Sequence, residues 1–172
     1  MRYKEVVVAL MREPKPSERR LIDAFFTSVG FAQNPYSSGI RILDPGGPFR
    51  EAFYIPPEAV QAASRLPFLY SAGLNLGMLE GRRFTPSLHL ARELSPLCGR
   101  PVRCSKLSPR GEQLFLYGRE VYGSNIISFS QGVVLVVGAS GGPLGWGEGK
   151  VVSGVPHIKP IRDLGWYLRR GG

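Results

Sequence analysis

Residues 131–152 read Gln131-Gly132-Val133-Val134-Leu135-Val136-Val137-Gly138-Ala139-Ser140-Gly141-Gly142-Pro143-Leu144-Gly145-Trp146-Gly147-Glu148-Gly149-Lys150-Val151-Val152, and how this stretch folds decides the class of the protein. Strands are expected over 131–137 and 144–152, with Ser140-Gly141-Gly142-Pro143 as the turn between them. The glycines invite comparison with a phosphate-binding loop, but their spacing refuses it. A P-loop lysine follows one Gly directly and has another five places before that, where this chain has Leu144, and Val151 replaces the metal-binding hydroxyl residue. The dinucleotide fingerprint fails in the same way: Gly145 and Gly147 need a third glycine where Lys150 stands, and strand and turn follow instead of a helix. The glycines therefore belong to a β-hairpin.

Towards the C-terminus, Ser108 caps and Pro109 enters a helix reaching Leu116, a short strand follows over 120–122, and a final helix is expected over 163–170. Short strands between Gly/Pro turns, broken by one helix, point to a small barrel. Towards the N-terminus the pattern differs. A helix is expected over 17–29, with Ser17 as cap, Leu21, Ile22, Phe25, Phe26 and Val29 at helical spacing, and Gly30 as stop. Strands over 39–43 and 52–55 bracket the turn Asp44-Pro45-Gly46-Gly47-Pro48, and Pro56-Pro57 opens a helix to about Arg65. Strand, turn and strand occupy 68–84, and Ser87 caps a short helix through Leu94. Pro96, Gly99 and Pro101 read as the linker. The expectation is an α+β protein: an N-terminal α/β domain over residues 1–96, then a β-barrel over 97–172.

Composition narrows the function. The chain has 172 residues, 43% of them hydrophobic and 20% charged, with a net charge of +9. That balance suits a globular protein with an acidic partner such as nucleic acid. The excess is uneven: residues 1–95 carry 12 Lys/Arg against 9 Asp/Glu, and residues 96–172 carry 10 against 4. The anion-binding face is therefore expected on the C-terminal half, although solubility alone also favours such charge. No apolar run is long enough to span a bilayer or to serve as a secretory signal, which makes a cytoplasmic location the expectation. Cys98 and Cys104 are read as packing thiols, with a disulfide across their separation as the alternative.

Signals for catalysis are weak. His89 reads as a packing or surface residue of a helix and His157 as a strand residue, and neither stands in a nucleophile motif. Asp23, Asp44 and Asp163 have structural places available as helix face, turn and helix start. Two cysteines and two histidines make a zinc site improbable, and neither a metal nor a cofactor is expected.

One set of segments is specific: Glu112-Gln113-Leu114-Phe115-Leu116-Tyr117-Gly118-Arg119-Glu120-Val121, then Gln131-Gly132-Val133-Val134, then Pro143-Leu144-Gly145-Trp146-Gly147, and finally Asp163-Leu164-Gly165-Trp166-Tyr167-Leu168-Arg169. In order and spacing it resembles a PUA domain, and more narrowly that of the nuclear-import-protein-seven family of ribosome-biogenesis factors, in an archaeal-type form. Residues 12–96 match that family's N-terminal domain only in element order and in the run 84–97. After Lys150 the chain looks shorter than eukaryotic relatives and lacks much of their basic stretch. The resemblance implies a non-catalytic RNA-binding protein acting in large-subunit maturation. Its partners would be rRNA or U-rich RNA and pre-ribosomal or exosome-associated proteins. It would be a monomer, cytoplasmic or, in a eukaryote, nucleolar.

An RNA-modifying enzyme carrying a PUA domain is the alternative, and a module whose apolar hairpin 69–78 docks a protein is a third. The candidate RNA contacts are Lys106, Arg110, Arg119, Lys150, Lys159, Arg162, Arg169 and Arg170 for phosphate, with Tyr117 for stacking. Gly118 permits close backbone approach or simply caps its helix.

Overall fold

Gly138 donates its backbone N–H to the Gly142 carbonyl at 2.8 Å, and Gly141 donates to Gly138 at 2.9 Å. The Ser-Gly-Gly-Pro turn thus closes where the sequence puts it. In the computed structural model, which describes residues 10–63, 65 and 71–170, the elements run β1 (Leu10–Arg12), α1 (Pro16–Ser28), β2 (Ile40–Asp44), β3 (Phe49–Tyr54), α2 (Pro57–Ala63), β4 (Leu74–Glu80), β5 (Arg83–Pro86) and α3 (Leu88–Leu94). They continue with β6 (Cys104–Leu107), α4 (Pro109–Leu116), β7 (Val121–Tyr122), β8 (Ile126–Ser128), β9 (Gly132–Val137), β10 (Pro143–Val152), β11 (Val155–Asp163) and α5 (Trp166–Arg170). The start of the strand expected from residue 68 and the N-terminal residues 1–9 lie outside the described residues.

The fold class is α+β as expected. The first sheet is antiparallel in the order β1-β2-β3-β4-β5, and the second, nearly closed like a barrel, has the order β7-β11-β10-β9-β6-β8. Within the second sheet only β6 and β9 pair in parallel. Strand β9 shows how the sheets are joined. Its residues alternate between two cores, as a strand's period of two requires. Val134 and Val136 pack with Leu107, Phe115, Val121 and Ile158 inside the barrel. Leu135 and Val137 face the other way, into a core with Trp146, Val102, Phe25, Phe26, Leu90 and Leu94. The barrel's outer face is therefore covered by the N-terminal elements. Trp146 is fully buried, its ring lies edge-on to Phe25 with centroids 5.2 Å apart, and its indole N–H donates to the Ser87 carbonyl at 2.8 Å.

The glycines of β10 follow from the same alternation. A Cβ on Gly147 would come within 2.8 Å of Ile158 Cγ2 and 3.0 Å of Val136 Cγ2, and one on Gly145 or Gly149 would overlap the Arg162 or Ser130 backbone. Only glycine lets the neighbouring strands approach this closely.

Several expectations need correction. Helix α1 begins at Pro16 and Ser17 does not cap it; the Glu18 carboxylate accepts the Lys15 backbone N–H at 2.8 Å. Strands β1, β6 and β8 were not expected, and of β11 only His157 was read as a strand residue. Strand β11 hides behind Pro156 and Pro160, which are tolerated because β7 pairs only with His157 and Ile158, leaving most of that edge without ladder bonds to lose. Asp163 ends β11 and does not start the last helix, which begins at Trp166. Cys98 and Cys104 form a disulfide, with Cα atoms 5.6 Å apart. A parallel bridge between Cys98 and Val102 turns the chain back beside β6, a return that cysteine spacing alone does not reveal.

Glu18 is a buried charge, 2% exposed. It is paired on both oxygens: Arg12 donates to Oε2 at 2.8 Å and to Oε1 at 2.9 Å, and Arg50 donates to Oε1 at 2.8 Å. Arg12 also reaches Asp44 at 2.8 Å, tying α1 to the first two strands. The hydrogen bonds from Arg12 hold both carboxyls below their usual range, burial opposing this at Glu18 and the Gly46 N–H assisting at Asp44. No helix among the described residues is long and apolar enough to cross a membrane.

Candidate nucleic-acid interface

Because Gly147 and Gly149 of β10 face the barrel interior, Glu148 and Lys150 face outwards, and both are exposed. The register sets Lys150 opposite His157 and Glu148 opposite Lys159, and His157 in turn lies opposite Tyr122 of β7. One row across three strands thus reads ammonium, imidazole, phenol. The Tyr122 and His157 rings stack, 25° from parallel with centroids 5.5 Å apart. His157 Nδ1 lies 3.1 Å from Glu120 Oε1, which fixes the imidazole edge. Tyr122 is 56% exposed, so the pair forms an open aromatic platform flanked by Lys150 and Lys159. Stacking surface beside cations is what unpaired nucleotides require.

The chain reaches this row through the end of α4. The Arg119 N–H donates to the Leu114 carbonyl at 2.9 Å and the Gly118 N–H to Phe115 at 2.9 Å. This is a Schellman closure, and Gly118 takes the left-handed conformation it needs, φ +73°. Tyr117, at 71% exposure, and Arg119 stand in the open at this elbow. Gly118 also leaves room for a neighbour: a Cβ there would sit 2.9 Å from Arg169 Nη2.

That neighbour, one of the expected phosphate contacts, is engaged within the protein. Arg169 donates through both terminal nitrogens to Asp163, each at 2.9 Å, and Asp163 is buried. It also donates to the Leu116 carbonyl, fastening α5 onto the end of α4. The Asp163 hydrogen bond raises the Arg169 pKa.

The remaining expected contacts are dispersed. Lys106 lies half-buried on β6, and Arg110 is exposed in the first turn of α4, donating to Gln113 at 3.2 Å. Arg162 lies with its guanidinium 4.7 Å from the Trp166 ring centroid, in the wall of a cleft of about 600 Å³ between the N-terminal sheet and α5. Arg170 ends α5, and its side chain lies outside the described residues. The structure thus gathers Lys150 and Lys159, and places Tyr117, Gly118 and Arg119 in the turn leading to them. Sequence reasoning missed His157 as a stacking partner. The signal was present in Tyr122 and Pro156-His157-Ile158 but needed the β11 register to be read. His89 is exposed on α3, and Asp23 accepts from Asn34 at 2.8 Å on the face of α1.

A nearly closed small barrel with α4 packed against it has the architecture of a PUA fold. Two solved structures agree at the level of fold: a conserved PUA domain protein from Thermoplasma acidophilum (TM-score 0.57, 14% identity, 94% of this chain and 99% of that one), and a hypothetical protein from the hyperthermophilic archaeon Pyrococcus horikoshii (TM-score 0.55, 14% identity, 92% and 99%). The family model described as the UPF0113 PUA domain matches residues 103–172. A UPF0113 protein of Aeropyrum pernix is 59% identical over 162 residues, 94% of this chain and 93% of that one. The chain belongs to the UPF0113 family.

Proposed function

We propose that this protein is a non-catalytic RNA-binding factor acting in maturation of the large ribosomal subunit, as the resemblance of its C-terminal segments to the nuclear-import-protein-seven family implies. The observation that carries the binding is the row Lys150–His157–Tyr122 beside Lys159, on a barrel whose half of the chain holds most of the excess positive charge. Cations pair with phosphates and release counterions, and the stacked rings offer a face to an unpaired base. rRNA or U-rich RNA is the ligand of this reading, and pre-ribosomal or exosome-associated proteins are its protein partners. It acts as a cytoplasmic monomer and needs no cofactor.

The test is a salt titration of binding to a U-rich single strand. The logarithm of affinity falls with the logarithm of salt by about 0.7 for each phosphate neutralised. Charge reversal at Lys150 and Lys159 flattens that slope, whereas a flat response in the unaltered protein refutes the proposal. Incubation with rRNA followed by nucleoside mass analysis tests the other half, since a new modified nucleoside would make the protein an enzyme.

A further inference from the structure

The cleft between the two halves differs in chemistry from the basic row. About 600 Å³ in volume, it falls within the roughly 300–1,000 Å³ of small-ligand sites. The N-terminal sheet contributes Phe49, Glu51 and Glu80, and the C-terminal half contributes Arg162 and Tyr167. Phe49 and Tyr167 are 47% and 59% exposed, so flat apolar surface is offered from both sides. Two carboxylates against the single Arg162 guanidinium leave this lining without the cationic excess of the rest of the chain.

One carboxylate has a partner. Asn75 Nδ2 donates to Glu51 Oε2 at 3.3 Å, which fixes the amide, because only its nitrogen can donate to a carboxylate. The Asn75 backbone carbonyl accepts from Ser87 Oγ at 2.5 Å, and Ser87 caps α3. Asn75 Oδ1 is buried and, among the described residues, has no hydrogen-bond partner. Buried acceptors rarely stay so. The floor of the cleft therefore presents acceptors, with Phe49 and Tyr167 among the residues lining it.

We infer that this cleft takes an unpaired guanine base from the RNA bound by the barrel, its N1–H and N2 amino group donating to the Glu51 carboxylate. The inference rests on the RNA-binding reading above and deepens it. Guanine alone among the four bases places two adjacent donors on its Watson–Crick edge, the complement of a carboxylate; uracil, adenine and cytosine each offer one. Aromatic contact through Tyr167 and Phe49 supplies the stacking that a splayed base loses.

The experiment is an anisotropy titration of the full chain with twelve-nucleotide oligo(U) strands carrying one central guanine, inosine or adenine. Inosine keeps N1–H and lacks the amino group. The guanine strand is expected to bind about tenfold more tightly than the inosine strand, the discrimination of one good bidentate pair. Glu51→Gln erases that ratio and leaves plain oligo(U) affinity within about twofold. Tyr167→Ala, from the other wall, weakens the guanine strand selectively. Paired reversal of Lys150 and Lys159 to Glu weakens every strand and preserves the ratio. Equal binding of guanine and inosine by the unaltered protein, or a ratio that survives Glu51→Gln, overturns the inference while the barrel reading stands. Failure to bind any strand overturns both.

Discussion

Glu18 shows how much a single side chain can organise. Its carboxylate sits in the interior with Arg12 and Arg50 on its oxygens and a backbone N–H at the helix start. Removing one partner of such a pair strands the others, at a cost of about 3–5 kcal/mol, so Glu18→Ala is expected to lower the chemical denaturation midpoint well beyond a typical surface change. The pH dependence has a definite sign. Glu18 and Asp44 both have folded-state pKa values below the unfolded ones. Their contribution is complete above the usual carboxylate range and is lost as pH falls through the depressed native values, where the unfolded chain binds more protons. A series of melts at falling pH should show this loss, and Glu18→Gln should blunt it. Gly118 makes a second residue-scale prediction. Gly118 has φ +73°, and an added Cβ would sit 2.9 Å from Arg169 Nη2, so Gly118→Ala costs about 1–2 kcal/mol in left-handed backbone strain and additionally displaces the clamp. Thermal unfolding will register it, and Asp163→Asn should produce a similar loosening of α5 in hydrogen exchange.

Elements were legible in the sequence to the degree that their signals were local. The helix caps at Ser87 and Ser108 accept from Leu90 and Gly111 as expected, because a cap is decided within four residues. The β9–turn–β10 hairpin was legible for the same reason. The expected Ser17 cap failed because a buried Glu18 bound by two arginines outweighs a serine hydroxyl, and those arginines come from β1 and β3. The extent of strand β11 beyond His157 stayed hidden because its prolines speak against a ladder, while its tolerance of them depends on how little of it β7 covers. The candidate site divides likewise: Lys150 and Lys159 followed from charge and hairpin geometry, whereas the His157–Tyr122 stack and the Arg169–Asp163 pair exist only through register and tertiary closure. An element-scale prediction follows from β10. Gly147→Val forces a branched side chain against Ile158 and Val136, and overpacking of this kind costs about 1–3 kcal/mol or more; the variant should show a lower melting temperature and a loosened barrel in amide exchange.

At the scale of the molecule, the two sheets are separate but the core is not. Trp146 belongs to the barrel's sheet and packs among residues of α1 and α3. The expectation is one cooperative unfolding transition, with tryptophan fluorescence and far-UV dichroism changing together. Trp146→Ala should cost about 3–5 kcal/mol, whereas Trp146→Phe keeps most of the ring and loses the bond to Ser87. A split into two transitions in the unaltered protein would contradict a shared core. RNA binding belongs to this scale too, because the salt slope sums over a surface. On the proposed reading the Lys150–His157–Tyr122 row would meet the backbone and the cleft a base.

The arrangement also sets a schedule on the ribosome. Phe25, Leu90 and Leu94 emerge early, yet of the side chains that cover them, Leu135, Val137 and Trp146, the last follows Leu94 by 52 residues and Phe25 by 121. At roughly 5–20 residues per second, the nascent N-terminal half waits several seconds with an open apolar flank, a window in which a chaperone finds its client. Nascent chains stalled after residue 96 should accordingly be digested by protease, and chains long enough to expose Trp146 should resist.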